Sequence, residues 1–227
     1  MAYITERIKR LSRLRFAALY PMGLYLAFFT VPDDHYAPAG MAIMMAGMAV
    51  RVWSNGYAIK LDRLTTSGPY AFVRNPLYLG TALIILGVIV LLGVFMLGAL
   101  FFAVMAAVYT RTIRGEQRIL TEKFGAAYQD YLVKVPAMWP SWRSYKEGEK
   151  WPFCWQRVWL SREHKVFIWA AVIVIGFYIK KTCLSEGFTA KAAALAALAA
   201  GFGFLDLLGE FIRSRLKKVQ ACGDKAV

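Results

Sequence analysis

The chain of 227 residues is both apolar and strongly basic. Its residues are 59% hydrophobic and only 19% charged, and 28 Lys and Arg against 14 Asp and Glu give a formal charge of +14. Average soluble domains are about 45–50% apolar and about 25% charged, so this composition excludes an ordinary soluble enzyme. It also excludes a disordered chain, because so much apolar surface can be buried. A nucleic-acid-binding protein would not need the 29 consecutive uncharged residues 81–109, and we expect no nucleic-acid partner.

The cysteines indicate neither a disulfide framework nor a metal centre. Cys154, Cys183 and Cys222 are odd in number and far apart, and they form no CxxC pair and lie near no pair of histidines. Zinc sites require such clustered ligands, so we predict no metal site.

Two candidate membrane spans precede the first polar segment. Residues 16–31 follow a basic leader and end at Pro32; the leader could also begin a signal peptide, but no small-x-small cleavage site follows directly, which favours an uncleaved helix. The second candidate runs from residue 38 to 52 or 53. Its glycines, Gly40 and Gly47, stand among alanines and predict a small-residue face for close helix packing.

The central apolar segment predicts a helical hairpin. Residues 77–109 would form a single helix of about 50 Å, too long to cross a hydrocarbon core of about 30 Å once. We therefore expect two helices that turn near residues 93–98. Residues 166–179 and 192–212 give two more candidates, so the fold class is all-α: a polytopic transmembrane helical bundle of about six spans.

The distribution of positive charge predicts the orientation of this bundle. With the N-terminus inside, 25 of the 28 Lys and Arg residues fall on the inner side, and only Lys180, Lys181 and Lys191 lie outside. Cytoplasmic loops carry such an excess, so we expect an integral membrane protein whose two termini are cytoplasmic.

The first inner segment, residues 64–80, contains two turn signals. Ser67, Gly68 and Pro69 form one, and Asn75-Pro76 forms the other, with Pro76 suited to the first helical turn and Asn75 to the N-cap. The N-terminus of such a helix can receive a carboxylate or phosphate. The alternative is a loop that only caps and orients the hairpin.

The second inner segment, residues 111–131, has the periodicity of a surface helix. Apolar side chains recur at intervals of three, four and seven residues, which predicts an interfacial cytoplasmic helix. Glu116 lies at its membrane end between Arg114 and Arg118. One interpretation of Glu116 is a ligand contact, and the other is a solvated member of an ion pair. For the whole helix, the alternative to a site is a basic anchor.

Together these segments resemble the isoprenylcysteine carboxyl methyltransferase and phospholipid N-methyltransferase superfamily of membrane enzymes. The matching pieces are G-P-Y at residues 68–70, R-N-P-L-Y-L-G at 74–80, E-Q-R-I-L at 116–120, F-G-A-A-Y-Q-D-Y at 124–131 and V-P at 135–136. The order and spacing agree throughout. The resemblance covers roughly residues 51–140, a motif-bearing part within a core of residues 1–140, and leaves residues 141–227 as a C-terminal extension.

The resemblance implies S-adenosyl-L-methionine bound at the cytoplasmic mouth of the bundle. By position, the residues that match the family's cofactor contacts are Asn55, Leu64, Thr65, Tyr70, Asn75, Pro76, Leu77, Tyr78 and Glu116. The chain departs from the family pattern at four positions. Asn75 replaces the histidine of the carboxyl methyltransferase form, although asparagine also occurs in the phospholipid methyltransferase form. Gln117 replaces a second glutamate, and Thr112 and Ala137 replace arginines.

The candidate reaction is methyl transfer to a lipid-like or small amphiphilic acceptor. Glu116, Arg111 and Arg114 are the candidate catalytic residues, with Glu116 on a polar group of the cofactor and the arginines on an acceptor carboxylate or phosphate. Acceptors that fit are a prenylcysteine carboxylate, a phospholipid amine or a thiol, and the bilayer is the expected partner. The oligomeric state is not readable from the sequence.

Two other classes remain open. Membrane sterol reductases share a related bundle and a similar signature, although Pro76 interrupts the spacing of that signature here. A non-catalytic scaffold or transporter subunit is the other alternative, because Asp206 and Glu210 lie one turn apart in the last span and intramembrane carboxylates are often functional. The structural alternative is that these two carboxylates pair with Arg213 or Lys217.

Overall fold

Helices make up the regular secondary structure of the described chain. The computed structural model describes residues 23–59 and 63–223, with side chains up to residue 214. The elements are α1 (the helical residues 23–29), α2 (Ala37–Tyr57), a 3-10 turn (Gly68–Ala71), α3 (Pro76–Leu91), α4 (Phe95–Phe124), α5 (Ala126–Lys134), α6 (Trp155–Leu160), α7 (Glu163–Glu186) and α8 (Ala190–Gly223).

The predicted hairpin is present. Helices α3 and α4 are joined by residues 92–94, at the start of the predicted turn region, and Gly93 adopts a φ of +65° that favours glycine. The backbone N–H of Asp33 donates to the carbonyl of Leu91 at 3.0 Å, which ties this turn to the loop after α1.

The small-residue face of α2 packs against α3 as predicted. Gly40 and Gly47 of α2 oppose Gly87 and Gly80 of α3, and both pairs are seven residues apart. A Cβ added at Gly47 would lie 2.7 Å from the carbonyl oxygen of Gly80, and one at Gly40 would lie 2.6 Å from that of Gly87. The two backbones therefore touch, and only glycine fits at these crossings.

The predicted interfacial helix is not a separate element over its whole length. Helix α4 continues without a break to Phe124, so residues 111–124 extend the hairpin, and only α5 is separate. Residues between Tyr109 and Gly125 include many good helix formers and no proline, so nothing ends the helix before Gly125, whose φ is +54°. The 30 residues of α4 span about 45 Å, more than the hydrocarbon core.

Three helices of the described chain are long and apolar enough to cross a membrane. They are α4, α7 and the part of α8 from Ala190 to Ser214, while α3 is apolar but has only 16 residues. The expected count of six membrane spans is therefore not confirmed. Residues 16–22 of the first candidate span, the basic leader and residues 60–62 and 224–227 lie outside the described residues.

Opposite ends of the bundle differ in character. At one end, Lys181 pairs with Asp34 at 2.7 Å and the loop after α1 meets the turn between α3 and α4. At the other end lie the loops of residues 63–75 and 135–154, which contain the G-P-Y and V-P motifs and most described loop cations. This grouping agrees with the charge partition in the sequence.

Candidate active site

A tyrosine–glutamate hydrogen bond joins the two helices of the hairpin at the motif-bearing end. The Tyr78 hydroxyl in the first turn of α3 donates to Oε1 of Glu116 in α4 at 2.7 Å. Tyr78 is buried, and its ring centroid lies 5.1 Å from that of Tyr109, with the planes tilted by 46°. Because the helices are antiparallel, the hairpin brings together two motif residues that are 38 positions apart.

These residues line a cavity of about 630 Å³ among α2, α3, α4 and α7. Small-molecule sites typically measure about 300–1,000 Å³, so the space suits a ligand of that class. Most of the lining residues are polar or aromatic, and these are Arg51, Tyr70, Arg74, Asn75, Tyr78, Thr81, Tyr109 and Glu116.

A second, smaller cavity of about 180 Å³ adjoins the first. Tyr70, Arg74, Asn75 and Leu120 line both cavities, so these side chains stand at their junction. The smaller cavity is completed by residues of the 58–65 loop and of α5, among them Leu64, Thr65, Tyr128 and Tyr131.

The loop before α3 is fixed by the segment that follows α5. The backbone N–H groups of Arg74 and Asn75 donate to the carbonyls of Pro136 and Ala137 at 2.9 and 3.2 Å. Asn75 occupies the N-cap position, as predicted, but its side chain makes no capping bond and donates instead to Ala137 O at 3.0 Å. The V-P motif thus positions the R-N-P motif.

The beginning of the C-terminal extension covers the same loop. Ser67 Oγ donates to Glu149 O at 2.8 Å and accepts from the backbone N–H of Trp151 at 2.7 Å. Farther along the loop, the N–H of Tyr145 donates to Ala71 O at 2.9 Å. Residues 141–154 therefore form part of the support for the matched loop.

Helix α7 of the extension contributes an ion pair at the cavity wall. Arg51 donates from Nε and Nη2 to the two carboxylate oxygens of Glu163 at 2.9 and 2.7 Å, and from Nη1 to Thr81 Oγ1 at 2.7 Å. Glu163 is buried. Arg51 is thus held in one geometry by groups from α3 and α7.

The phenols near the junction are neutral at physiological pH. Burial raises the pKa of Tyr70, and the positive charge of Arg51 only partly opposes this shift. Burial also raises the pKa of Tyr131, whose hydroxyl donates to Tyr70 O at 2.6 Å. These tyrosines therefore offer hydrogen-bond donors and aromatic faces and carry no negative charge.

Eight of the nine predicted cofactor contacts line one or both cavities. They are Leu64, Thr65, Tyr70, Asn75, Pro76, Leu77, Tyr78 and Glu116. Asn55 lies apart from them, buried in α2, and its side chain donates to Arg51 O at 3.0 Å within its own helix.

The predicted acceptor-binding arginines lie elsewhere. Arg111 and Arg114 have exposed side chains and line neither cavity, so their contact with an acceptor stays a prediction. Thr112, which stands at the family's arginine position, is buried and donates to Val108 O at 2.9 Å within α4.

The sequence reasoning did not select Arg51 and Arg74, which line the larger cavity, or Glu163, which pairs with Arg51. Arg51 could have been found as a charged residue at the end of an apolar span, a position that usually has a function or a partner. Arg74 belonged to the quoted motif but was assigned no role. Glu163 has no local signal, because its partner lies 112 residues earlier.

Comparison with known proteins supports the assignment of the motifs. Residues 41–127 match the family model described as phospholipid methyltransferase. A stretch of 74 residues, 33% of this chain, is 39% identical to a protein-S-isoprenylcysteine O-methyltransferase of Schizosaccharomyces pombe and covers 31% of it. This region belongs to the isoprenylcysteine and phospholipid methyltransferase superfamily.

Two bacterial relatives carry names from metal resistance. The cobalt-zinc-cadmium resistance protein CzcN of Cupriavidus metallidurans is 30% identical over 51% of this chain and 56% of its own length. The nickel-cobalt-cadmium resistance protein NccN of Alcaligenes xylosoxydans xylosoxydans is 30% identical over 48% and 54%. The chain thus spans about a third to just over half of the curated relatives it matches. No solved structure is significantly similar to it.

Proposed function

We propose that the protein is an integral membrane methyltransferase that uses S-adenosyl-L-methionine and acts on a lipid-like or small amphiphilic acceptor. The observation that carries this proposal is the Tyr78–Glu116 hydrogen bond at the wall of the larger cavity, because both residues belong to the superfamily motifs. The similarity to a protein-S-isoprenylcysteine O-methyltransferase supports the same reaction class.

The cavity residues fit such a cofactor. Aromatic faces of Tyr70, Tyr78 and Tyr109 can attract a sulfonium by cation–π interaction, and Glu116 can accept hydrogen bonds from hydroxyl or ammonium groups. When bound, the cofactor supplies a methyl group activated by its positive sulfur. The residues of this chain position the reactants and exclude water, which is where most catalysis of an in-line displacement can arise. The protein itself needs no strong nucleophile.

An apolar cavity supports an acceptor with a hydrocarbon part. This space of about 480 Å³ lies among α1, α3, α4 and α7, and Ile84 lines both it and the larger polar cavity. An amphiphile can therefore place its polar group beside the motif residues and its apolar part toward the bilayer. A prenylcysteine carboxylate, a phospholipid amine and a hydrophobic thiol are the acceptor classes that this arrangement accommodates.

The alternative of a transporter subunit loses its main support. Asp206 pairs with Lys165 at 3.1 Å, and Glu210 pairs with Arg213 at 3.1 Å. The two carboxylates thus have the partners expected of structural ion pairs, including the predicted Arg213.

The proposed orientation places both termini and the active site on the cytoplasmic side. The exposed residues His35 and Lys146 lie at opposite ends of the bundle and can each be changed to cysteine in a background without native cysteines. We expect a membrane-impermeant maleimide to label His35→Cys in intact cells and Lys146→Cys only in inverted vesicles. Labelling of both from the same side would contradict this topology.

Calorimetric titration of the detergent-purified protein with S-adenosylhomocysteine tests the function. Hydrogen bonds to charged groups contribute about 1.5–3 kcal/mol, so Glu116→Gln should weaken binding by roughly ten- to a hundredfold. Tyr78→Phe should weaken binding by a smaller factor, because it leaves the carboxylate in place. Glu122→Gln is the control, since Glu122 is exposed on the same helix. Unchanged affinity in both site variants would contradict the proposal.

A further inference from the structure

Five of the seven tryptophans lie within residues 139–159, a segment after α5 that we call the strap. Trp139 is 83% exposed, and Trp142 is fully exposed. Trp155 and Trp159 are also exposed, and they lie one turn apart on α6. A group of exposed indole rings leaves a large apolar area uncovered, which marks an interaction surface. The boundary between hydrocarbon and headgroups is the environment in which such rings are enriched.

The backbone of the strap is fastened to the rest of the bundle. Ser67 Oγ joins the carbonyl of Glu149 to the N–H of Trp151 through two hydrogen bonds. Near the end of the strap, the N–H of Cys154 donates to Gly56 O of α2 at 3.0 Å. Because the inner side of the strap is held in this way, its exposed side chains form a fixed outer face.

Both ends of the strap lie next to candidate membrane spans. Met138, the residue before the strap, packs against the apolar core and lines a crevice with Phe102 and Met105 of α4. At the other end, α6 is followed at Glu163 by α7, a second candidate span. The strap therefore crosses the motif-bearing end of the bundle close to the level of the lipid headgroups.

The acidic residues of the strap are neutralised from outside it, which leaves an excess of cations. Glu147 pairs with Lys134, and Glu149 pairs with Arg63 at 3.4 Å. Three exposed cations of the strap belong to none of the ion pairs found among the described residues, and these are Arg143, Lys146 and Lys150. The outer face thus combines indole rings with positive charge.

We propose that the strap binds the anionic phospholipid headgroups of the bilayer that the chain spans. Its cations face lipid phosphates, and its indole rings lie at the edge of the hydrocarbon. A soluble polyanion would satisfy the cations, but the position of the indole rings beside two candidate spans favours a lipid surface. The strap lies outside residues 41–127, which match the family model, so this surface is separate from the methyltransferase match.

Tryptophan fluorescence in lipid nanodiscs measures this contact. Replacement of two exposed tryptophans, Trp53→Phe and Trp169→Phe, leaves indole rings only in the strap. The discs contain one mixture of phosphatidylcholine and phosphatidylglycerol, with bromine on the acyl chains of either the first lipid or the second. Brominated chains quench indole rings that they contact. We expect brominated phosphatidylglycerol to quench more strongly than its share of the mixture predicts.

Matched variants of this protein separate local binding from diffuse attraction. Arg143→Gln/Lys146→Gln removes two strap cations, and Arg118→Gln/Lys123→Gln removes an exposed arginine and lysine of α4. A cation near an anionic surface strengthens binding by about fivefold, so the strap variant should lose most of the excess quenching while the control keeps it. Equal losses would indicate diffuse attraction and overturn the inference. Strap indole rings that soluble acrylamide quenches, but brominated lipid does not, would lie in water and overturn it too.

Titration of the same variants with S-adenosylhomocysteine in detergent distinguishes this surface from the cofactor site. Neither Arg143 nor Lys146 lines either cavity, so the strap variant should bind this ligand like the wild type. A loss of affinity would place these cations in the cofactor site and contradict the inference. If only the lipid preference is absent, the proposed function stands. If only S-adenosylhomocysteine binding is absent, the lipid-binding surface stands and the proposed function falls.

Discussion

Helices α3 and α7 both line the larger cavity, but they are attached to the bundle in different ways. Helix α3 lies against α2 with backbone in contact at Gly40, Gly47, Gly80 and Gly87. Helix α7 is fastened by polar groups near its two ends, and between them Ile173, Gly176 and Phe177 face the apolar cavity. The motif-bearing helix is therefore fixed by backbone-to-backbone packing, whereas α7 combines polar contacts near its ends with apolar contacts of Ala170 and Phe177 in the core.

The polar contacts of α7 are distributed so that a space remains beside the core. Near the site, Glu163 holds Arg51 of α2. At the far end, Lys180 Nζ donates to the carbonyls of Ala27, Phe28 and Thr30 at 2.9, 2.7 and 2.9 Å, which satisfies the open carbonyls at the end of α1. An arrangement of this kind can hold a helix in register while it leaves room for an apolar ligand.

The largest expected effect comes from a change in the close-packed interface. In Gly47→Leu, the new Cβ would lie 2.7 Å from Gly80 O and 2.9 Å from both Ile84 N and Leu83 Cβ. Overpacking ordinarily costs about 1–3 kcal/mol, and we expect the upper end or more because backbone atoms must move. Size-exclusion chromatography and thermal unfolding in detergent should show loss of the folded monodisperse protein.

Gly201→Leu is the matched control for this change. Gly201 lies in α8, and a Cβ there would meet nothing within 4 Å. The control should fold like the wild type. Equal behaviour of the two leucine variants would show that the contact between α2 and α3 does not hold the core together.

Local features of the sequence were sufficient to predict the hairpin, the small-residue face and the position of Asn75 at the N-cap of α3. Each depends on neighbours within one segment, such as the length of an apolar run, glycines seven residues apart, or Asn-Pro before a helix. The contacts of the extension could not be predicted in this way. Arg51 and Glu163 are 112 residues apart, and no periodicity relates them.

The placement of the arginines beside Glu116 illustrates a different limit. Successive residues of a helix are rotated by about 100°, so Arg114 lies about 200° and Arg111 about 140° around α4 from Glu116. Although these two arginines are close to Glu116 in sequence, they lie on another face of α4, where their side chains are exposed. The residue one turn before Glu116 is Thr112, and the arginines that line the larger cavity, Arg51 and Arg74, come from other segments.

The smaller expected effect comes from the polar attachment of α7. Glu163→Gln should lower the free energy of unfolding by about 2 kcal/mol, because the bonds from Arg51 lose their charged acceptor in a buried setting. Arg51 should become mobile at the cavity wall, so the affinity for S-adenosylhomocysteine should also fall. Glu186→Gln, an exposed change on the same helix, is the control for both measurements.

A double-mutant cycle decides whether this effect belongs to the ion pair. Arg51→Met and Glu163→Met should each destabilise the protein, since each leaves one buried charge without its partner. The double variant should recover much of that loss, because two apolar side chains can fill the same space without a charge. Stability losses that simply add would show that α7 is not attached through this pair.

The ligand affinity of the double variant gives a second result. If its stability is recovered but its affinity for S-adenosylhomocysteine is not, the extension acts on the cavity through the position of Arg51 and not through the stability of the fold.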